Sequence, residues 1–253
     1  MLLAASNCVI PPTVVVEPGA SIGPYVVFVG GQTIVRTHAC IEAAAVIGRD
    51  ITIGQGAQVR PGAVVLRSVP PNAIVEGNPA QIVGYRDGAE RGSYQDIIIR
   101  DASVFAGTSA PANLPLGIGD SAIYLMRQVA DPRGSLTVGE FGKELPFEPR
   151  RYFLVYDVPS RELRGEHAHR QCHQFLICIN GSCHVLVDDG VRRCEVILDR
   201  PDVAVYMPPM IWGTQYRYSK DAILMVFASH HYDAGDYLRT YDEFEAEMAK
   251  RSR

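Results

Sequence analysis

The chain has 253 residues, of which 47% are hydrophobic, and its formal net charge is -4. This length suits one large domain or two small ones, and a weakly acidic chain without a Lys/Arg-rich run argues against nucleic acid as the main partner. No apolar run approaches the ~20 residues of a membrane span. The first residues also lack the basic start and long apolar segment of a signal peptide. We therefore expect no membrane partner and a cytoplasmic protein.

The six cysteines form no CxxC pair, which argues against a zinc knuckle or a thioredoxin-type motif. Buried, reduced thiols are the plain interpretation, and they fit a reducing compartment.

Residues 10–68 repeat with a period of six. Aliphatic or aromatic side chains recur at Ile10, Val16, Ile22 and Phe28 and, after one extra residue, at Val35, Ile41, Ile47, Ile53, Val59 and Val65. A period of six fits neither an α-helix nor a flat strand. It suits a coil of three short strands, with one inward side chain per strand and tight turns at the corners. Ten such hexads predict a little over three coils.

The hexads and the segment "VPPNAIVEGNPAQIVGY" after them resemble the left-handed parallel β-helix of hexapeptide-repeat acyltransferases, in particular sugar N-acetyltransferases. The resemblance covers about residues 1–85. It implies a trimer, acetyl-CoA as co-substrate bound between neighbouring prisms, and often a histidine base, for which His38 is the one candidate in this half. His38 falls at a corner beside the inward Ala39, so a solvent-facing turn residue is the alternative. The extra coils and protruding loop of such enzymes are missing, so a domain that only trimerises the chain also stays open.

The repeat then stops, and residues 86–117 have the Gly, Ser, Ala and Pro content of a linker, with one short strand, "DIIIR", that could dock on a neighbouring domain. From Ile118 the pattern changes to nine short strands separated by turn-forming sequences, which predicts a double-sheet jelly roll. Asn-Gly in "ICINGSCHVLV" predicts a hairpin. Residues 233–253 predict a turn and a terminal helix. The predicted fold class is all-β, with domains at 1–85 and 118–253.

The stretch "RGEHAHRQCHQ" holds His167, His169 and His173. Because alternate residues of a strand share a face, His167 and His169 should point into the barrel and Ala168 away from it. The usual metal site of such barrels would need a carboxylate four or five residues on and a histidine from a later strand. Gln174 and the histidine-free "MPPMIWGTQY" stand there instead, so we predict no metal. A neutral three-histidine metal site that uses His173 stays an alternative.

Two inward histidines in a largely apolar barrel cost desolvation energy unless they have partners. Histidine titrates near neutral pH, which suits proton transfer, and charged residues flank this pair. A catalytic site is therefore the stronger interpretation, and buried, hydrogen-bonded histidines without a role are the alternative.

The histidine segment, "PPMIWGTQYRYSKDAILMVFAS" and "YDAGDYLRTYDEF" resemble the dTDP-4-keto-6-deoxyhexose 3,4-ketoisomerases across about residues 118–244. The resemblance implies a cupin that pairs through its sheets, takes a dTDP-sugar and needs no cofactor for isomerisation. Some members are fused to a hexapeptide N-acetyltransferase in this order, in one pathway to a 3-acetamido-3,6-dideoxyhexose for surface polysaccharide. Together the two halves predict a homo-oligomer, either a trimer or a hexamer.

Moving a ketone from C4 to C3 takes removal of the C3 proton, an enediol or enediolate, and return of a proton to C4, while a second group carries a proton between the oxygens. The family pattern implies His169 as the carbon base and His167 as the shuttle or the group that polarises the oxygen. Tyr152 and Tyr156 lie four apart on the preceding strand, so they share a face and could donate to a sugar oxygen. Core or rim tyrosines are the alternative.

Arg164 and Arg170 are candidate partners for the diphosphate, because a guanidinium binds it bidentately, and solvated surface arginines are the alternative. Trp212, the single tryptophan, either stacks on thymine or fills the core. A metal-dependent cupin enzyme and a sugar-nucleotide-binding scaffold with an inactive β-helix remain competing functions. A 3,5-epimerase would want a His–Asp pair with a tyrosine acid, and no such pattern is legible in the sequence.

Overall fold

The computed structural model describes residues 3–4, 7–85, 98–159 and 164–251. The chain divides into two compact units, Met1–Gly92 and Ser93–Arg253. Each unit has its own sheets and its own apolar core. Within the described ranges, no helix is both long and apolar enough to span a bilayer.

The first unit is built from short strands. They are β1 Leu3–Ala4, β2 Val15–Val16, β3 Ser21–Ile22, β4 Val27–Phe28, β5 Ile34–Val35, β6 Cys40–Ile41, β7 Val46–Ile47, β8 Thr52–Ile53, β9 Gln58–Val59, β10 Val64–Val65, β11 Ala73–Glu76 and β12 Gln81–Tyr85. They form three sheets in the orders β1-β3-β6-β9-β11-β12, β4-β7-β10 and β2-β5-β8. Neighbouring strands run parallel, and the last pair, β11 and β12, is antiparallel.

The strand register confirms the predicted coil. Cys40 pairs with Gln58, eighteen positions on, whereas Ser21 pairs with Cys40, nineteen positions on. The extra residue of this earlier coil lies in the "GGQT" interruption, where Gly30 and Gly31 both have positive φ. Glycine adopts that conformation without a steric penalty, so the longer corner does not disturb the register.

The inward positions of the hexads form one continuous core. The predicted inward residues from Ile22 to Val65 are at most 2% exposed, and small side chains such as Ala39 and Ala57 bury the neighbouring corners. Burial of each large apolar side chain stabilises the fold by roughly 1.5–3 kcal/mol. The β-solenoid predicted from the six-residue period is confirmed.

The second unit holds the remaining strands and one α-helix. They are β13 Ile98–Arg100, β14 Ala112–Pro115, β15 Ala122–Leu125, β16 Arg127–Asp131, β17 Gly134–Val138, β18 Arg151–Tyr156, β19 Arg164–His169, β20 Gln174–Asn180, β21 Cys183–Asp188, β22 Arg193–Leu198, β23 Val203–Met207, β24 Trp212–Tyr216, β25 Ile223–Ala228, β26 Tyr237–Leu238 and α1 Tyr241–Arg251. Sheet I has the order β13-β22-β21-β24-β19-β26, and sheet II has the order β14-β15-β23-β20-β25-β18. Strands β16 and β17 form a separate hairpin.

Sheets I and II share one apolar core, as the jelly-roll prediction requires. Val185 and Val196 of sheet I and Leu176, Val205 and Leu224 of sheet II belong to the same buried cluster. The predicted terminal helix is α1. It begins with a capping box in which Thr240 Oγ1 accepts from the backbone N–H of Glu243, while the Glu243 carboxylate accepts from that of Thr240.

Two predictions about connections need correction. The short strand predicted within the linker is confirmed, because Ile98–Arg100 pairs with β22, but the predicted linker, 86–117, extends too far, because Ala112–Pro115 also pairs with β15. These residues belong to the second unit, and 86–97 lies outside the described residues. The Asn-Gly turn at Asn180 does not close a paired hairpin. Strand β20 pairs with β23 and β25 in sheet II, whereas β21 pairs with β22 and β24 in sheet I, so this turn passes between the sheets.

Candidate active site

The histidine pair lies on β19 and faces the space between the two sheets. Ala168, between the histidines, points the other way and packs with Trp212 and Phe244 under α1. The strand is irregular just before the pair, since its register shifts between Gly165 and His167. Such a bulge re-aims the side chains that follow it. The two imidazole rings meet edge to face, with centroids 4.9 Å apart.

His169 is held from both sides. Its Nδ1 lies 2.7 Å from Oδ2 of Asp236, and its Nε2 lies 3.1 Å from the amide nitrogen of Gln174. A carboxylate can only accept, so Nδ1 carries the hydrogen and donates it to Asp236. Nε2 of the neutral ring therefore holds the lone pair and accepts from Gln174. His169 and Gln174 are each 5% exposed.

Burial is the largest effect on the pKa values of the two histidines. Burial lowers the pKa of His169 to about 4, and the neighbouring His167 lowers it as well, which together outweigh the opposing effect of Asp236. Burial also lowers the pKa of His167. Burial alone would raise the pKa of Asp236, but hydrogen bonds from His169 and from the backbone N–H groups of Gln171 and Cys172 bring it below its ordinary value. Both imidazoles are therefore neutral near pH 7, beside a charged carboxylate.

His167 is the more open member of the pair. Its Nδ1 lies 2.9 Å from the backbone oxygen of Gly165, and this carbonyl can only accept, so Nδ1 is again the protonated nitrogen. Its Nε2 has no hydrogen-bond partner among the described residues. The lone pair of His167 is thus available to a substrate, while that of His169 is engaged by Gln174.

An aromatic and cationic rim lies next to the pair. The Tyr237 ring is 4.3 Å from that of His169 and 4.9 Å from that of His167, between centroids. The Arg239 guanidinium lies 4.4 Å from the centroid of Tyr237. The positive charge of Arg239 contributes to the lowered pKa of His167, and that of Arg151 contributes to the lowered pKa of His169.

Sequence reasoning missed the partners Asp236, Tyr237, Gln174 and Arg239. Three of them lie in "YDAGDYLRTYDEF", which supported the resemblance but carried no residue roles. A His–Asp pair beside a tyrosine is present after all. Its members, His169 and Asp236, are 67 positions apart, so the sequence spacing does not reveal the pair.

The two predicted tyrosines lie elsewhere. Tyr152 and Tyr156 are on β18 of sheet II and are 65% and 58% exposed. Phe153 and Val155, which alternate with them, pack against the shared core. The tyrosines therefore occupy the outer face of sheet II, which corrects the expectation that they lie beside the histidines and donate to a sugar oxygen there.

The three predicted substrate-binding residues lie in three different surroundings in the structure. Arg164 is exposed at the start of β19. The Arg170 Nη1 pairs with Glu247 on α1 at 2.9 Å, which commits its charge to the helix. Trp212 is buried with Tyr241 and its neighbours under α1, so it fills the core rather than offering a face to a base.

His173 does not join the pair. Its Nδ1 lies 2.6 Å from the hydroxyl of Tyr206, which packs in the cluster of Phe175 and Ile177 on the outer side of sheet II. The three-histidine arrangement is therefore not formed. His169, Cys172 and Asp236 place ligand-type atoms within 4.8 Å of one another. Nδ1 and Oδ2 already share a hydrogen bond, and Oδ1 accepts the N–H of Gln171, so we interpret this group as a hydrogen-bonded network.

His38 belongs to the other unit. It is exposed at the corner between β5 and β6, with φ of 61°. Its ring covers Gly19 so closely that a Cβ at that position would lie 2.4 Å from Nδ1. The solenoid thus presents His38 at a corner, as expected, and Gly19 beneath it has a φ of 77°, which favours glycine.

Comparison with known proteins identifies the family and the relatives that the second unit matches. Residues 119–249 match the protein family described as FdtA: WxcM-like, C-terminal. The chain is 40% identical over 131 residues to the TDP-4-oxo-6-deoxy-alpha-D-glucose-3,4-oxoisomerase of Aneurinibacillus thermoaerophilus, which covers 52% of this chain and 94% of the relative. A His-to-Asn mutant of the 3,4-ketoisomerase QdtA from Thermoanaerobacterium thermosaccharolyticum, solved in complex with TDP-4-keto-6-deoxyglucose, is 31% identical. That comparison has a TM-score of 0.52 and covers 53% of this chain and 97% of QdtA.

The first unit has relatives of another kind. The chain is 47% identical over 55 residues to the dTDP-3-amino-3,6-dideoxy-alpha-D-galactopyranose 3-N-acetyltransferase of A. thermoaerophilus, which covers 22% of this chain. The chain spans only 29% of that acetyltransferase.

The second unit thus joins a jelly roll, an inward histidine pair and a match over nearly the whole length of a ketoisomerase, while the first unit is a hexapeptide-type solenoid. The chain belongs to the FdtA family, WxcM-like, C-terminal.

Proposed function

We propose that the second unit converts a dTDP-4-keto-6-deoxyhexose into its 3-keto isomer. The observation that carries this proposal is the pair of neutral imidazoles between the sheets, each with Nδ1 tied to an acceptor and with the lone pair on Nε2. The relatives support the substrate class, because one acts on a TDP-4-oxo-6-deoxyglucose and another is solved with TDP-4-keto-6-deoxyglucose. The reaction is redox-neutral, so it needs only groups that move protons.

The hydrogen bonds favour a division of roles that reverses the one implied by the family pattern. We assign the carbon proton to His167, because its Nε2 is open, and the oxygen proton to His169, because the charge that it gains is balanced by Asp236. His167 removes the C3 proton, the C3–H electrons form a C3–C4 double bond, and the C4 carbonyl becomes an enediolate. His169 carries the O3 proton to O4. The C3 carbonyl then forms, and His167 returns its proton to C4, so both rings end neutral.

Cations near the pair suit the rest of the substrate. Arg239 and Arg151 both act electrostatically on the histidines, and Arg239 lies over Tyr237 at the same site. A guanidinium binds phosphate oxygens bidentately, so Arg239 is a better candidate for the diphosphate than Arg170, whose charge is paired with Glu247.

Acetyl transfer by the first unit is a second candidate function. The supporting observations are the solenoid and the identity with a sugar-nucleotide 3-N-acetyltransferase over 55 residues. In this reaction the amine of a dTDP-3-amino-3,6-dideoxyhexose attacks the thioester carbonyl of acetyl-CoA, the CoA thiolate leaves, and His38 takes the amine proton. Because the chain spans less than a third of that relative, a solenoid that only joins copies of the chain is the alternative. A trimer or hexamer remains a prediction.

One assay separates the candidate functions of the second unit. The full chain is incubated with dTDP-4-keto-6-deoxyglucose in D₂O, and the sugar is followed by NMR. We expect a 3-keto product, with deuterium at C4 to the extent that the protonated His167 exchanges with D₂O before it protonates C4. A C5 epimer would indicate an epimerase that uses His169, Asp236 and Tyr237. Binding without turnover would indicate a scaffold, and activity that is lost on chelation and restored by a divalent metal would indicate a metal-dependent enzyme.

A further inference from the structure

Gln174 contacts His169 but has no role in the mechanism above. It is the first residue of β20 in sheet II, whereas His169 ends β19 in sheet I, so their contact crosses the barrel. The sequence marked position 174 only as the place where a metal-binding carboxylate is missing. In the structure the side chain of Gln174 is buried beside His169.

The chemistry of the neighbours fixes which amide atom faces His169. Asp236 holds the hydrogen on Nδ1, so Nε2 is an acceptor and requires a donor opposite it. The amide N–H of Gln174 is such a donor, 3.1 Å away. A carboxylate at the same place would instead demand a hydrogen on Nε2. His169 would then lie between two carboxylates as a stable imidazolium with no lone pair to offer.

We propose that Gln174 is a positioning residue that keeps Nε2 of His169 a proton acceptor, by donating to its lone pair from the side opposite Asp236 until the substrate hydroxyl takes that place. This inference rests on the proposed function, because the acceptor matters only if His169 moves the O3 proton. Gln174 favours the neutral ring, whereas Asp236 favours the charged one. The neutral amide of Gln174, on one side of the ring, thus offsets the preference for the charged imidazole that Asp236 creates on the other side.

Several titratable or charged groups face His169 from the surrounding elements. They are Asp236 before β26, His167 on β19, Cys172 after β19, Arg151 on β18 and Tyr237 on β26. Asp236 is the one anion among the described groups that act on its titration. A second anion at position 174 would therefore place His169 between two negative charges.

The test is Gln174→Glu in the full chain, with His169 followed by ¹⁵N NMR and kcat/KM measured against pH. We expect the pKa of His169 to rise by at least about one unit, which corresponds to a ten-fold change in its protonation constant. The acid limb of the pH profile should move upward with it. Activity should fall at least about ten-fold on that limb and recover as the pH rises. An unchanged pKa of His169 would overturn the inference.

Gln215→Glu is the matched control. Gln215 is also buried, on β24 of sheet I, and has no hydrogen bond to His169 among the described contacts. The Gln215→Glu substitution introduces the same charge into the same barrel. We expect it to shift the pKa of His169 clearly less than Gln174→Glu does. Equal shifts in both variants would reduce the effect to general electrostatics and refute a specific role for Gln174.

Two further measurements keep the test decisive. Should Gln174→Glu fail to fold, Gln174→Met keeps the length but removes the N–H. The Nε2 resonance of His169 should then move to that of an unbonded acceptor nitrogen, and an unmoved resonance would count against the contact. The NMR titration needs no substrate. If the chain is inactive on the dTDP-sugar, the proposed function is wrong. The change in the NMR titration of His169 would still test the role of Gln174.

Discussion

Asp236→Asn should separate the two tasks of this carboxylate, which orients His169 and binds the turn before β20. Oδ2 accepts from Nδ1 of His169 at 2.7 Å and from the backbone N–H of Cys172 at 3.3 Å, while Oδ1 accepts from the backbone N–H of Gln171 at 2.7 Å. Asparagine has one oxygen for these two positions. If the amide nitrogen replaces Oδ1, its N–H group faces the backbone N–H of Gln171. If it replaces Oδ2, its N–H group faces Nδ1 of His169 and forces the hydrogen of that ring onto Nε2.

Both arrangements should reduce activity. If the amide nitrogen faces Nδ1, the lone pair of His169 moves to the wrong nitrogen. If the oxygen faces Nδ1, the tautomer is kept, but the negative charge that stabilises the imidazolium is lost. A hydrogen bond to a charged group contributes about 1.5–3 kcal/mol, so kcat should fall about 10- to 150-fold. An unsatisfied backbone donor should also lower the free energy of unfolding by about 1–3 kcal/mol at pH 7.

The pH dependence of that stability loss is a further check. The pKa of Asp236 is lowered in the folded state, so its carboxylate contributes stability above its ordinary pKa of 3.8, and this contribution is lost as the pH falls through the folded-state value. Denaturant unfolding should therefore show a difference between the parent and Asp236→Asn at pH 7 that shrinks below pH 3.8.

Asp233→Asn is the control for this experiment. Asp236 ends a short 3₁₀-helix, Ala234–Asp236, and Asp233 caps that helix by accepting from the backbone N–H of Gly235, a role that asparagine fills equally well. We expect activity and stability close to those of the parent. Steady-state kinetics of Asp236→Asn that match the parent would refute the role of the carboxylate, whatever the loss of stability.

Three other predictions follow from described contacts. His167→Asn should abolish exchange of the C3 proton with D₂O, whereas His169→Asn should retain exchange but lose most turnover, each by about 10²–10⁴-fold in kcat; exchange lost only in the His169 variant would restore the assignment from the family pattern. His38→Ala should slow CoA release from acetyl-CoA with a dTDP-3-amino-3,6-dideoxyhexose, and no CoA release by the parent would leave the solenoid as a scaffold. Trp212→Ala should cost about 3–5 kcal/mol in denaturant unfolding, because the ring is buried against Phe244, and a loss confined to nucleotide affinity would instead place it in the site.

Local patterns in the sequence already determine much of this protein. Side chains in a coil of short strands face inward once every six residues, so the hexads predicted the solenoid and its core, including the coil lengthened at Gly30 and Gly31. Alternation along a strand likewise predicted that His167 and His169 share a face opposite Ala168. The terminal helix was also legible. These features depend on residues within a few positions of one another, so no knowledge of the rest of the chain is needed.

Only the tertiary structure decided which strands pair and which residues meet. The Asn-Gly turn has the local signal of a hairpin, but both flanking strands are apolar and find better partners in different sheets. Tyr152 and Tyr156 share a face, as their spacing requires, yet the position of β18 turns that face outward. The site itself joins His169 to Asp236, 67 positions away, and to Gln174 across the barrel. Such contacts follow from the packing of the two sheets, which depends on the whole core and which no short stretch of sequence encodes.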